Sequence, residues 1–142
     1  MKKFKSFIAL IFVFSIFFFA CSSGGGSKST TSKSPAKAVE KSFDYYISKN
    51  YDKTVSTYVS GDYKKLTKEE IDKVKAMLPY ATQEDDKNGG LKSIVIVNET
   101  IADDGNTAKV EYKKIYGNGD EETVTAPLVK IDGDWFMALI AN

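Results

Sequence analysis

Histidine and arginine are both absent from this 142-residue chain, which narrows the chemistry open to it before any element is placed. A histidine base, a histidine metal ligand and a bidentate guanidinium clamp are all unavailable. Proton transfer would fall to carboxylates, lysines and tyrosines, and a catalytic carboxylate needs burial to bring its pKa toward neutrality. No acidic residue stands alone on an apolar face. Glu99 and Asp44 come nearest, and both read as solvated surface charges. The run Glu84-Asp85-Asp86 and the turn Asp103-Asp104-Gly105-Asn106 lack the spaced ligands and closing glutamate of a calcium loop, and read as solvated turns. No catalytic residue, metal or cofactor is therefore assigned.

Aromatic side chains are the remaining candidates. Phe43, Tyr46, Tyr112, Tyr116 and Trp135 could line a pocket for a flat or amphipathic ligand. The competing reading is that they fill the space between helix and sheet, with their polar tips reaching a wet rim.

Cys21 is the single cysteine, so it has no partner for an internal disulfide. It follows a basic start, Lys2, Lys3 and Lys5, and an apolar run from Phe7 to Ala20 broken only by Ser15. That layout is a secretory signal, too short for a resident span of roughly 20 residues. Phe18-Phe19-Ala20-Cys21 resembles a lipobox, with Phe18 where the pattern prefers leucine, and the resemblance implies cleavage before Cys21 and lipidation of its thiol. Two or three acyl chains make a stable membrane tether where one is marginal. Ser22 is not the aspartate that commonly retains lipoproteins at an inner membrane, so the expected location is the outer membrane, facing the periplasm, or the outer surface in a single-membrane organism. Removing Lys2, Lys3 and Lys5 from the 20 lysines leaves 17 against 19 acidic residues, a balance that excludes nucleic acid as a partner.

Residues 21–34 are almost wholly Ser, Gly, Thr and Lys after the cysteine, the composition of a flexible tether. One domain should occupy 35–142. Ser34 as N-cap and Pro35 at the first helical position open a helix carrying Val39, Phe43, Tyr46 and Ile47 on one face. A short second helix is expected from Tyr51 to Val59. A third begins at the capping box Thr67-Lys68-Glu69-Glu70, with Leu66 stapled on Ile71, a buried face of Ile71, Val74, Met77 and Leu78, and an end or kink at Pro79.

After Gly89-Gly90 the period changes to alternation. Four strands are expected, Leu91 to Ile101, Thr107 to Tyr116, Glu121 to Ile131 and Trp135 to Ala141, joined at Asp104-Gly105, Asn118-Gly119 and Asp132-Gly133 into an antiparallel meander. Ala108, Val110, Tyr112 and Tyr116 should face inward, while Lys109, Glu111 and Lys113 face out. Neither face of Glu121 to Ile131 is cleanly polar, so both should be partly covered. Pro127 points to an edge position or a bulge there. Helices followed by an antiparallel sheet make the fold α+β.

The opening Pro35-Ala36-Lys37-Ala38-Val39, the lead-in Gly90-Leu91-Lys92-Ser93-Ile94, the segment Thr107-Ala108-Lys109-Val110 and the close Leu128-Val129-Lys130-Ile131-Asp132-Gly133-Asp134-Trp135 together resemble the DUF4878 bacterial lipoproteins of the NTF2-like and cystatin-like superfamily. The resemblance implies helices packed on a curved four-stranded sheet, a cone whose mouth holds a ligand in many relatives. It supplies no catalytic signature. The expected function is a non-catalytic envelope module that binds a small ligand, a peptide or a protein partner. The alternative is an isomerase- or cyclase-type enzyme using a buried carboxylate with Tyr112 or Tyr116.

Overall fold

The computed structural model describes residues 32–140. The signal segment, Cys21 and nearly all of the tether lie outside them. Three helices and five strands follow in the order α1 (Pro35–Ile47), α2 (Tyr51–Val55), β1 (Tyr58–Val59), α3 (Lys68–Lys87), β2 (Leu91–Ile101), β3 (Thr107–Tyr116), β4 (Glu121–Ile131) and β5 (Asp134–Ala138). The architecture is α+β, as expected, with a single sheet in the order β1-β5-β4-β3-β2.

The sheet has one strand more than expected. Tyr58 and Val59, read from sequence as the end of the second helix, pair parallel to Met137 and Ala138. The helix stops early because Ser56 and Thr57 turn their hydroxyls back onto the carbonyls of Lys53 and Thr54 at 2.7 and 2.6 Å. Such local bonds compete with helical continuation. The backbone freed beyond them takes up β5, with Met137 N donating to Thr57 O at 3.0 Å and Leu139 N to Val59 O at 2.9 Å.

α1 begins as expected, its Lys37 N–H donating to Ser34 Oγ at 3.3 Å. A second acceptor was not foreseen: Glu99 of β2 takes the Ala36 N–H at 2.7 Å. Glu99 is thus no idle surface charge. It places a carboxylate on the positive end of α1, where unpaired N–H groups favour an anion, and ties the helix to the far end of β2. Asp44 remains exposed on α1.

The inner face of the sheet carries the main core. Val110, Ala108, Tyr112 and Tyr116 of β3 join Ala126 and Leu128 of β4, Met137 and Trp135 of β5, and Ala38, Val39 and Phe43 of α1. A smaller cluster of Val59, Val129 and Ala138 covers part of the outer face, backed by Ile131 and Phe136. That second cluster explains why β4 lacks a polar face. Pro127 lies neither at the edge nor in a bulge: it pairs with Lys109 in the unbroken β3–β4 register. The β4–β5 register begins one residue later, at Leu128, so the missing N–H falls where that neighbour stops. The irregularities sit instead in β2, between Leu91 and Ser93 and between Ile96 and Asn98. Extra residues there bend and twist the strand.

α3 keeps its capping box, Glu70 Oε2 accepting from Thr67 N at 2.7 Å. It continues past Pro79 to Lys87, with the proline and Lys75, whose carbonyl loses its helical partner, both exposed. The expected buried face is corrected too: no residue of α3 is buried, with Ile71 39% and Met77 67% exposed. Val74 and Leu78 are half-buried. The helix leans on α2 and the start of β2 instead of packing flat on the sheet. It is held by Lys75 with Asp52, and by the Tyr51 and Thr82 hydroxyls 3.0 Å apart.

Candidate functional site

Where α1, α3 and the inner sheet face meet, a cleft of about 250 Å³ remains, lined by Phe43, Tyr46, Tyr58, Leu78, Ala81, Asp85, Leu91, Tyr112 and Lys114. Its position follows from local sequence. Helical spacing sets Phe43 and Tyr46 on one side of α1, and Leu78, Ala81 and Asp85 share one stripe of α3. The alternation of β3 sends Tyr112 and Lys114 inward together. Gly89 and Gly90, at φ of 83° and 78°, reverse the chain between α3 and β2 and so bring Asp85 over the sheet.

The floor is aromatic. Phe43 lies 5.0 Å from the Tyr112 ring in a tilted arrangement and 6.2 Å from Tyr46 edge-on. Tyr112 is 4% exposed as a residue, but its hydroxyl opens into the cleft and makes no hydrogen bond to the described residues. Burial pushes its pKa up. Tyr58, also raised by burial, has the Ser42 hydroxyl beside it.

The rim is polar. Tyr46 donates to Asp85 Oδ2 at 2.6 Å, and Tyr116 donates to Glu122 Oε2 at 2.9 Å. Lys114 Nζ reaches the same Glu122 oxygen at 3.1 Å. Asp85 also comes within interaction range of the Tyr116 hydroxyl, so the two carboxylates face one phenol. The Lys114 ammonium and then the Tyr116 hydroxyl hold Glu122 below the usual carboxylate range. Burial, reinforced by the carboxylates beside them, raises Tyr46 and Tyr116. At neutral pH the rim thus holds a carboxylate at Glu122 and neutral phenols that donate. A general acid would require the opposite shift on the carboxylate. Among the described residues no three acidic side chains converge as a metal-binding group, and no helix is long and apolar enough to cross a membrane.

Of the residues singled out from sequence, Phe43, Tyr46 and Tyr112 meet in the cleft, and Tyr116 reaches its rim through its hydroxyl. Trp135 does not join them. It is 2% exposed near the start of α1, its backbone N–H donating to Ser32 O at 2.9 Å and its ring covered by Lys130 Nζ at 4.9 Å. Cys21 lies outside the described residues. Sequence reasoning missed Asp85, Lys114, Tyr58 and Glu122. A signal for Asp85 existed: carrying the helix past Pro79 puts Leu78, Ala81 and Asp85 on one face. The larger groove between α1 and β2, lined by Glu40, Phe43, Asp44, Ile47, Lys92 and others, presents a single aromatic ring and no tyrosine hydroxyl.

Among solved structures, similarity is found to one from Campylobacter jejuni described as "Putative NTF2-like transpeptidase", with 21% identity over 75% of this chain and 98% of that one and a TM-score of 0.60. A SEC-C motif containing protein from Rhodopseudomonas palustris aligns with 17% identity over 79% of each chain and a TM-score of 0.51. Both likenesses concern the fold, which is that of NTF2-like proteins. A search of curated proteins finds no match. The family described as "Domain of unknown function (DUF4878)" matches residues 26–138. An α+β chain with an NTF2-like sheet, matched by that family over most of its length, belongs to the DUF4878 family.

Proposed function

We propose that this chain is a lipid-anchored binding module of the bacterial envelope whose cleft takes a small amphipathic molecule without transforming it. One observation carries the reading: Tyr112 is nearly buried, yet its hydroxyl makes no hydrogen bond to the described residues and opens into the floor of an aromatic cleft. A hydroxyl that opens into a cleft and is engaged by no protein group stands ready for a ligand atom. At about 250 Å³ the cleft is just below the usual range for ligand pockets, about 300–1,000 Å³, so the ligand is small. The state of Glu122 and the protonated tyrosines favours binding over proton transfer. The word transpeptidase attached to the Campylobacter neighbour is not extended to this chain, because 21% identity speaks for the fold alone.

The anchoring half of the proposal rests on the sequence around Cys21. Wild type should incorporate an alkyne palmitate analogue and fractionate with the outer membrane, while Cys21→Ser should do neither. Label incorporated by the serine variant would remove the anchor from the proposal. The binding half is tested by a fragment screen against the purified chain read by calorimetry. Hits should weaken in Tyr112→Phe. An activity of the purified chain abolished by Asp85→Asn or Glu122→Gln would replace the binding module with an enzyme.

A further inference from the structure

We propose that the cleft selects an organic monocation, an ammonium group carried on a compact apolar body. The inference rests on the reading of the cleft as a ligand site and names the chemistry of its occupant.

The charges around the cleft are unequal. Asp85 and Glu122 both approach the Tyr116 hydroxyl, whereas Lys114 is the one lysine lining the cleft and is engaged by Glu122 at 3.1 Å. Among the described residues no lysine forms a salt bridge with Asp85, whose hydrogen-bond donor is the neutral Tyr46 hydroxyl at 2.6 Å. Lys49 and Lys92 line the neighbouring groove on the outer side of Asp85, together with Asp86, and neither pairs with it. The rim therefore keeps one carboxylate that no lysine among the described residues engages in a salt bridge.

The walls favour the same sign. Phe43, Tyr46, Tyr58 and Tyr112 present four aromatic rings to a space that also touches Leu78 and Leu91. Ring faces attract cations, most strongly where water is excluded. The Tyr112 oxygen has lone pairs free to accept from an N–H. An ammonium group can thus meet Asp85, a ring face and the Tyr112 oxygen, while its carbon body contacts Phe43, Leu78 and Leu91. An anion of the same shape would confront Asp85 and Glu122, and a neutral alcohol would leave Asp85 without a counter-charge.

The test is titration calorimetry on the full chain in matched nonionic detergent with three compounds of one shape: 2-phenylethylammonium, 2-phenylethanol and phenylacetate. The ammonium should bind about tenfold more tightly than the alcohol, the difference expected of a charge-assisted over a neutral hydrogen bond, and phenylacetate should bind most weakly. Asp85→Asn keeps an acceptor for Tyr46 and should erase the cation preference while leaving the alcohol within about twofold. Tyr112→Phe should weaken the ammonium severalfold. Equal affinity for cation and alcohol, or cation binding unchanged in Asp85→Asn, overturns the charge selection and leaves the ligand site standing. Failure of all three compounds to bind overturns both.

Discussion

Gly117 offers the sharpest test of how the cleft is held together. Its φ is not left-handed, so by backbone conformation alone an alanine would be tolerated. Yet a Cβ on Gly117 would stand 2.1 Å from the Gly89 oxygen and 2.8 Å from its carbonyl carbon. Both are backbone atoms with no side-chain freedom to yield. The contact exists because the end of α3 is laced to the β3–β4 hairpin, Gly117 N donating to Gly90 O at 2.8 Å and Asn118 N to Asn88 O at 2.9 Å. Relieving the clash means drawing the two segments more than an ångström apart and breaking both bonds. Two net hydrogen bonds at about 1 kcal/mol each, with at least about 1 kcal/mol of overpacking strain, predict a loss of about 3 kcal/mol for Gly117→Ala. With a urea m-value of about 2 kcal/mol/M, the unfolding midpoint should fall by about 1.5 M. Gly119→Ala is the control: its Cβ meets nothing within 4 Å, and only the φ of 92° is strained. It should cost about 1 kcal/mol. If Gly117→Ala unfolds no earlier than Gly119→Ala, the lacing does not hold α3 in place, and the account of how Asp85 reaches the cleft fails with it.

Three further outcomes are expected. Glu99→Ala should cost about 1 kcal/mol in denaturant unfolding through loss of the acceptor at Ala36, with Glu99→Gln recovering part of it; an alanine variant as stable as wild type would show the contact to be idle. Tyr112→Phe should leave stability nearly unchanged, since it removes a hydroxyl that opens into the cleft and makes no hydrogen bond to the described residues, and a marked loss in thermal melts would reveal a partner for that group. Glu122 is held below its ordinary value of 4.5, so its contribution is present above that pH and lost as pH falls through the lowered folded-state pKa. Stability measured between pH 6 and pH 2 should accordingly decline less in Glu122→Gln than in wild type, and parallel curves would contradict the Lys114–Glu122–Tyr116 link.

Local signals were legible where the physics is local. The Ser34 cap with Pro35, the Thr67–Glu70 box, and the Asp132-Gly133 turn with both residues at positive φ each involve groups within a few residues of one another. The β3 alternation showed its inward face because Ala108, Val110 and Tyr112 alternate with the charged Lys109, Glu111 and Lys113, a pattern that breaks at Lys114. β4 resisted the same reading because Val129 is buried on the outer face by Val59 and Ala138, a cover supplied from elsewhere in the chain. α3 misled differently: its apolar stripe has the helical period, but amphipathicity states which face prefers burial and not whether a surface waits to receive it. Here the inner sheet face is already occupied by α1.

By itself, then, the sequence determined the α+β order of elements, most of their ends, the inward aromatics of α1 and β3, and the absence of histidine and arginine chemistry, because each depends on residue type, period or neighbours in the chain. Only the tertiary structure decided that Tyr58 and Val59 form a fifth strand and that Glu99 caps a helix 63 residues away. It likewise decided that Asp85, Lys114 and Glu122 ring a cleft from which Trp135 is excluded. These are pairings between distant segments, made by strand register and by how the chain turns at Gly89 and Gly90, and no local pattern encodes which distant partner a side chain will meet.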